Sequence, residues 1–206
     1  MKTTALIVVC IVIAACVTGF VIMEYRRMDV RKTVLIAVMT AMSIAGRFVF
    51  AALPGFKPVT AVVVLCGMYL GVDAGFYCGA LSALISNFYF GQGPWTPFQM
   101  LVWGIIGVVA GLCGRCLRNN RLALGIYGIG AGIAFSLLMD IYTVIWAVDG
   151  WSWAYYGAAI VSAVPYTVIY AVSNVIFLAV LSPTVGKKIA RVVNKYRIAG
   201  DKPQNT

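Results

Sequence analysis

The chain has 206 residues, enough for one ordinary domain or two small ones. Apolar residues make up 62% and charged residues 11%, against roughly 45–50% and about 25% in soluble domains. At a mean hydropathy of +0.94, a soluble protein of this size has too little interior to hide its apolar surface. Composition thus defines an integral membrane protein and argues against soluble enzymes and nucleic-acid modules. The chain has no histidine, which removes the commonest general base and metal ligand. Its cysteines, Cys10, Cys16, Cys66, Cys78, Cys113 and Cys116, sit in or at the ends of apolar stretches and read as helix-borne thiols. Cys113 and Cys116 form a CxxC, but no second pair and no histidine complete a zinc site.

The expected fold is all-α, with seven apolar segments near 4–23, 33–53, 58–72, 74–90, 98–114, 122–147 and 157–182. A helical span needs about 20 such residues. The first segment follows Lys2 and ends at Glu24-Tyr25-Arg26-Arg27. It is too long for a signal peptide and lacks a small-x-small cleavage site, so it reads as a membrane helix. In the second segment Ala37, Ala41 and Ala45 recur every fourth residue, a face that lets another helix approach closely, from the same bundle or from a partner. Val72 and Asp73 are expected to form a tight reversal between the third and fourth segments. One uninterrupted helix there would overshoot the bilayer.

Charge placement sets the topology. Arg26, Arg27, Arg31, Lys32, Arg115, Arg118, Arg121, Lys187, Lys188, Arg191, Lys195, Arg197 and Lys202 all fall on one side of a seven-span arrangement. Lys2 and Lys57 fall opposite, and Arg47 lies inside a helix. The positive-inside rule then places the amino terminus outside and the carboxyl terminus in the cytoplasm of a multi-pass protein. This explains the net charge of +10 without nucleic acid. Residues 187–198 read either as a basic amphipathic helix on the membrane or as a solvated tail.

Three loops face the outer side, at 53–58, 90–97 and 148–156, all rich in Gly, Pro and aromatic residues. Trp151, Trp153, Tyr155 and Tyr156 suit an interfacial aromatic belt. Gly91-Gln92-Gly93-Pro94-Trp95-Thr96-Pro97 instead specifies one backbone and holds one indole, as a structure that lines or covers something would. Inside the membrane, Arg47 and Asp140 lie at similar depth, and each is costly alone in lipid. They are expected either to pair or to bind a ligand. Asn87 and Gln99 converge on the same outer third, accompanied by Phe48, Phe88, Phe90, Trp95, Trp103, Tyr142, Trp146, Tyr166 and Tyr170. A few polar groups among aromatics is the make-up of a pocket for a flat or bulky organic ligand. Asn174 reads as an interhelical hydrogen bond.

At this point the chain resembles a known family. The basic start, the alanine face, Phe56-Lys57-Pro58-Val59-Thr60-Ala61 and the run from Ala83 to Met100, with Gly91-Gln92-Gly93-Pro94-Trp95-Thr96-Pro97-Phe98-Gln99-Met100, resemble a substrate-binding S component of an energy-coupling factor (ECF) transporter. The resemblance covers about residues 31–185 and is closest to the branch linked with cobalamin or its precursors, with riboflavin or another vitamin as the alternative. It implies a six-helix substrate domain at 31–185, an extra membrane helix and basic linker at 1–30, and a basic cytoplasmic tail at 186–206. It also implies capture of a vitamin from outside, and docking through Ala37, Ala41 and Ala45 on a membrane-coupling T subunit driven by two ATPase subunits. Pro54, Phe56, Lys57, Gly91, Gly93 and Pro94 would belong to the lids. Arg47, Asn87, Trp95, Gln99, Trp103, Asp140, Tyr142, Trp146 and Tyr166 would form the substrate site. No cofactor, metal or catalytic residue is expected, and the chain has no Gly-x-x-x-x-Gly-Lys-Ser/Thr phosphate loop of its own.

A membrane enzyme would need an acid–base set, yet Asp73, Asp140 and Asp149 are the only carboxylates between residues 30 and 200. A self-contained secondary transporter would often show inverted repeats. Asp140 could serve as its coupling acid, but no internal repeat is evident.

Overall fold

A computed structural model describes residues 3–24, 29–196 and 198. Lys2, Arg26, Arg27, Arg197 and Lys202 from the charge argument lie outside the described residues. The chain is all-helical: α1 (Thr3–Glu24), α2 (Val30–Val49), α3 (Val59–Leu70), α4 (Val72–Phe90), α5 (Trp95–Leu112), a short α6 (Gly114–Asn119), α7 (Arg121–Val148), α8 (Trp153–Leu181), one π turn at Ser182–Gly186, and α9 (Lys187–Tyr196). Each of the seven apolar segments corresponds to one helix. Among the described residues, α1, α2, α5, α7 and α8 are long and apolar enough to cross a membrane.

The third segment behaves differently from a span. At 12 residues, α3 reaches only about 18 Å, short of the roughly 30 Å hydrocarbon core. It is apolar all round and buried along nearly its whole length, with Val63, Val64, Leu65 and Cys66 at 0% exposure. Such a helix belongs inside a bundle. α3 is the central post, and α2, α4, α5, α7 and α8 pack around it.

The expected two-residue reversal at Val72–Asp73 is tighter than the sequence indicated. Gly71 alone makes it, at φ +100°, and α4 begins at Val72. Asp73 then sits in the first turn of α4, where its charge complements the helix dipole. It accepts two hydrogen bonds from the Lys32 ammonium at 2.6 and 2.7 Å, fastening the start of α2 to the same end. α4 and α5 touch backbone to backbone. A Cβ on Gly75 would fall 2.2 Å from the Gly107 carbonyl oxygen, and the reverse holds for Gly107. Without a hydrophobic driving force between helices in lipid, this close approach is what holds them.

α1 packs outside this core, along α5, α4 and α7. Phe20 meets Phe76 and Tyr77. Val12 and Cys16 cover Phe98, with Tyr142 alongside. The Asp149 carboxylate accepts from the Thr3 and Ala5 backbone N–H groups at 3.1 and 2.9 Å. The start of α1 and the α7–α8 loop therefore share one end of the bundle. Lys32, Arg115 and Arg118 line a hollow at the opposite end. There α9 folds back, with Ile189 and Val193 in the core and Lys187, Lys188, Arg191 and Lys195 exposed. The stretch is an amphipathic helix, but Ile189 and Val193 turn its apolar face onto the bundle core and not outward.

Candidate functional site

At the end of the bundle where the Gly- and Pro-rich loops lie, one cavity opens among α2, the 50–58 loop, the first turn of α3, α5, α7 and α8. Arg47, Gly55, Lys57, Val59, Thr60, Gln99, Trp103, Phe135, Tyr170 and Asn174 line it. The cavity volume is about 100 Å³.

The polar wall is a built network. Arg47 is buried, and its Nη1 donates to Ser86 Oγ and, at 2.8 Å, to Asn87 Oδ1. Asn87 is itself 1% exposed. Its Nδ2 donates to Gln99 Oε1 at 2.8 Å and to Thr96 Oγ1 at 3.0 Å. Thr96 Oγ1 donates onward to Gln92 Oε1 at 2.9 Å, and Gln92 Nε2 donates to the Leu84 carbonyl at 2.9 Å. A continuous chain thus runs from the loop after α4 through the start of α5 to the guanidinium. Three of its members, Gln92, Thr96 and Gln99, belong to the Gly-Gln-Gly-Pro-Trp-Thr-Pro-Phe-Gln string, whose recurrent polar side chains now have a structural cause.

The apolar wall is aromatic. Trp103 stacks on Phe135 with ring centres 5.2 Å apart and planes 14° apart. Tyr170 meets Phe135 edge-on at 5.3 Å. Trp103 Nε1 is buried with no hydrogen-bond partner, an unmet donor on a cavity-lining residue. The Arg47 guanidinium lies 4.7 Å from the Phe90 ring centre and 5.4 Å from that of Trp103. The Lys57 ammonium lies 5.0 Å from the same Phe90 ring. Burial holds Lys57 below the usual lysine range, and the neighbouring Arg47 charge pushes it the same way. The Lys57 backbone is clamped to α8: its N–H donates to Ser173 Oγ at 3.1 Å, and Ser173 Oγ donates to its carbonyl at 3.2 Å.

Of the residues expected to bind substrate, the fold brings Arg47, Asn87, Gln99 and Trp103 together. It puts the others elsewhere. Arg47 and Asp140 do not pair. Asp140 lines a separate groove between α7 and α8 with Thr143, Tyr155 and Ser162. Tyr142 stacks near Trp146 and packs on Phe98 beneath α1. Tyr166 is 49% exposed on α8. Trp95 lies against Gly93 at the start of α5, in the loop and not in the cavity wall. Among the lid residues, Lys57 lines the cavity, and Phe56 packs on Phe50 and Phe177. Asn174 donates to the Gly128 carbonyl at 3.0 Å, the interhelical bond expected of it, and also lines the cavity. Thr60, Phe135 and Gly55 join the lining without having been singled out. Thr60 follows Lys57-Pro58-Val59, so proximity in sequence was its available signal; Phe135, one apolar residue in a long apolar helix, had none. Ala37, Ala41 and Ala45 are all exposed on α2, so packing within the bundle does not use this face.

A helical membrane bundle with one polar-and-aromatic cavity under Gly/Pro-rich loops is the architecture of a solute-binding membrane subunit. The chain belongs to the family described as ECF-type riboflavin transporter, S component, whose sequence model matches residues 27–191. The match spans α2 to α8 and into α9, and begins after α1. This is a family of transporter components and not of enzymes, and ECF S components work with T and ATPase modules. No curated protein and no solved structure matches the chain.

Proposed function

We propose that this chain is the substrate-capturing subunit for a flavin-class vitamin, riboflavin being the simplest, which it binds in the Arg47–Trp103–Tyr170 cavity and passes to an ATP-driven partner module. The carrying observation is the Trp103–Phe135 stack beside the Arg47–Asn87–Gln99 network. A planar heteroaromatic ring offers a large face to the one and carbonyl and ring-nitrogen acceptors to the other. The unmet Trp103 Nε1 donor adds a further partner for such an acceptor. This chemistry favours the riboflavin alternative over the cobalamin expectation. The family description points the same way.

In this reading the loops at 53–58 and 90–97 face the cell exterior and act as lids. The exposed Ala37, Ala41 and Ala45 meet the T subunit. The basic end bearing Lys32, Arg115, Arg118 and α9 faces the cytoplasm, as the positive-inside rule requires. The test is titration of the purified chain in detergent with riboflavin, followed by quenching of flavin fluorescence. Saturable binding at one site per chain is expected. Absence of quenching at all flavin concentrations, with the chain folded, would overturn the assignment.

A further inference from the structure

Charge bookkeeping around the cavity carries the reading further. Arg47 and Lys57 both line it, and both lie against the same Phe90 ring. No carboxylate lines it. The acids whose side chains are described all lie outside its lining. Asp29 caps α2, Asp73 holds Lys32, Asp149 caps α1, and Asp140 lines its own groove. Glu24 and Asp201 have no described side chains. Two cations sharing one low-dielectric cavity repel each other and pay desolvation, and ordinary buried charges are paired. Here the available compensation is hydrogen bonding of Arg47 by neutral Ser86 and Asn87, and the faces of the Phe90 and Trp103 rings. Arg47 spends Nη1 on those bonds, and no described hydrogen bond uses its Nη2 or Nε.

We infer that the cavity is built for a cargo carrying an anionic group, a phosphate monoester or carboxylate attached to the flat ring system, seated between Lys57 and Arg47. This deepens the flavin reading and rests on it: it makes the preferred ligand a flavin phosphate monoester and not the neutral alcohol. A planar guanidinium donates to two oxygens of such a group at once, and an ammonium adds a further charged donor. The depressed affinity of Lys57 for its proton, caused by burial and by Arg47, is the state a bound anion would relieve.

The experiment compares riboflavin with riboflavin 5′-phosphate on the purified chain in detergent, in wild type, Lys57→Gln and Lys57→Arg. A charge-assisted hydrogen bond gives the phosphate an advantage of at least about tenfold in Kd in wild type. The ratio of the two dissociation constants falls toward one in Lys57→Gln and returns in Lys57→Arg. Reading the ratio cancels any general loss of binding from the altered loop. Riboflavin bound as tightly as its phosphate, or a ratio unmoved by Lys57→Gln, overturns the anionic-cargo inference and leaves the flavin assignment standing. Binding of neither flavin overturns both.

Discussion

The Asn87 amide holds the Arg47 guanidinium through a 2.8 Å hydrogen bond to its Oδ1, while its Nδ2 is committed to Gln99 and Thr96. Two of its three hydrogen bonds, to Arg47 and Gln99, engage residues that line the cavity, so Asn87 orients the cavity wall without lining the cavity itself. Replacing it with Leu keeps the volume and removes all three bonds, leaving a buried cation and an amide short of partners. The expected result is a loss of about 1–3 kcal/mol in stability and at least a tenfold weaker flavin Kd. Thermal unfolding and fluorescence titration on the same preparation check both. Unchanged affinity would make the network purely structural.

Arg47, Asn87, Gln99 and Trp103 were legible because a charge, amides and an indole are conspicuous in an apolar chain. Helix periods put them at similar depth. Depth is not azimuth, however. Asp140 has the right height on α7 and the wrong face, so it opens onto the α7–α8 groove. Tyr142 errs in the same way, because α1 packs beside it and gives it an apolar partner that the six-helix pattern does not contain, and Trp146 stacks on Tyr142. The fold was readable in its seven apolar helices. The single-residue turn at Gly71 and the interior placement of α3 depend on packing, which hydropathy does not encode.

Two tryptophans separate the cavity wall from its rim. Trp103→Leu removes the ring stacked on Phe135 and is expected to weaken flavin binding by at least about tenfold, since stacked aromatic pairs contribute about 0.5–1.5 kcal/mol beyond their buried area. Trp95→Ala alters the loop that ends at Gly93 and is expected to weaken binding less. Parallel titrations decide the order. A larger loss at Trp95 would move the ligand outward, under the 90–97 loop.

Ala41 lies mid-way along the exposed alanine stripe of α2. Ala41→Trp is expected to abolish co-purification with the T and ATPase subunits, because the indole prevents the close helix approach that small residues permit. Flavin binding by the isolated variant should match wild type. Intact co-purification would reassign the stripe to lipid.

Asp149 is the one non-glycine residue of positive φ among those described, at +52°, and its carboxylate caps α1 across the bundle. Asp149→Ala is expected to cost about 1–2 kcal/mol, from the lost cap and from the left-handed backbone that alanine resists. Asp149→Asn should cost less, because asparagine tolerates that conformation and keeps one acceptor. Denaturation of the two variants in detergent orders them. Equal stability would remove the cap as α1's anchor.

Lys57 gives the site a pH dependence of defined sign. Burial and the Arg47 charge lower its proton affinity in the free protein, so it loses its charge at a lower pH than an ordinary lysine. An anion bound beside it favours the charged form, and by linkage the anion binds more tightly where Lys57 is protonated. Affinity for riboflavin 5′-phosphate should therefore be highest where Lys57 is protonated and decline as pH rises, beginning below the normal lysine range. The other charged or titratable groups lining the cavity are Arg47 from α2 and Tyr170 from α8. The phosphate's second ionisation lies near pH 6, and the flavin ring N3–H, which riboflavin carries too, cancels in the ratio of the two dissociation constants, so the alkaline limb of that ratio belongs to the protein. Lys57→Arg should shift that limb upward, since a guanidinium stays charged. A limb that remains in place in Lys57→Arg would assign the titration to Tyr170.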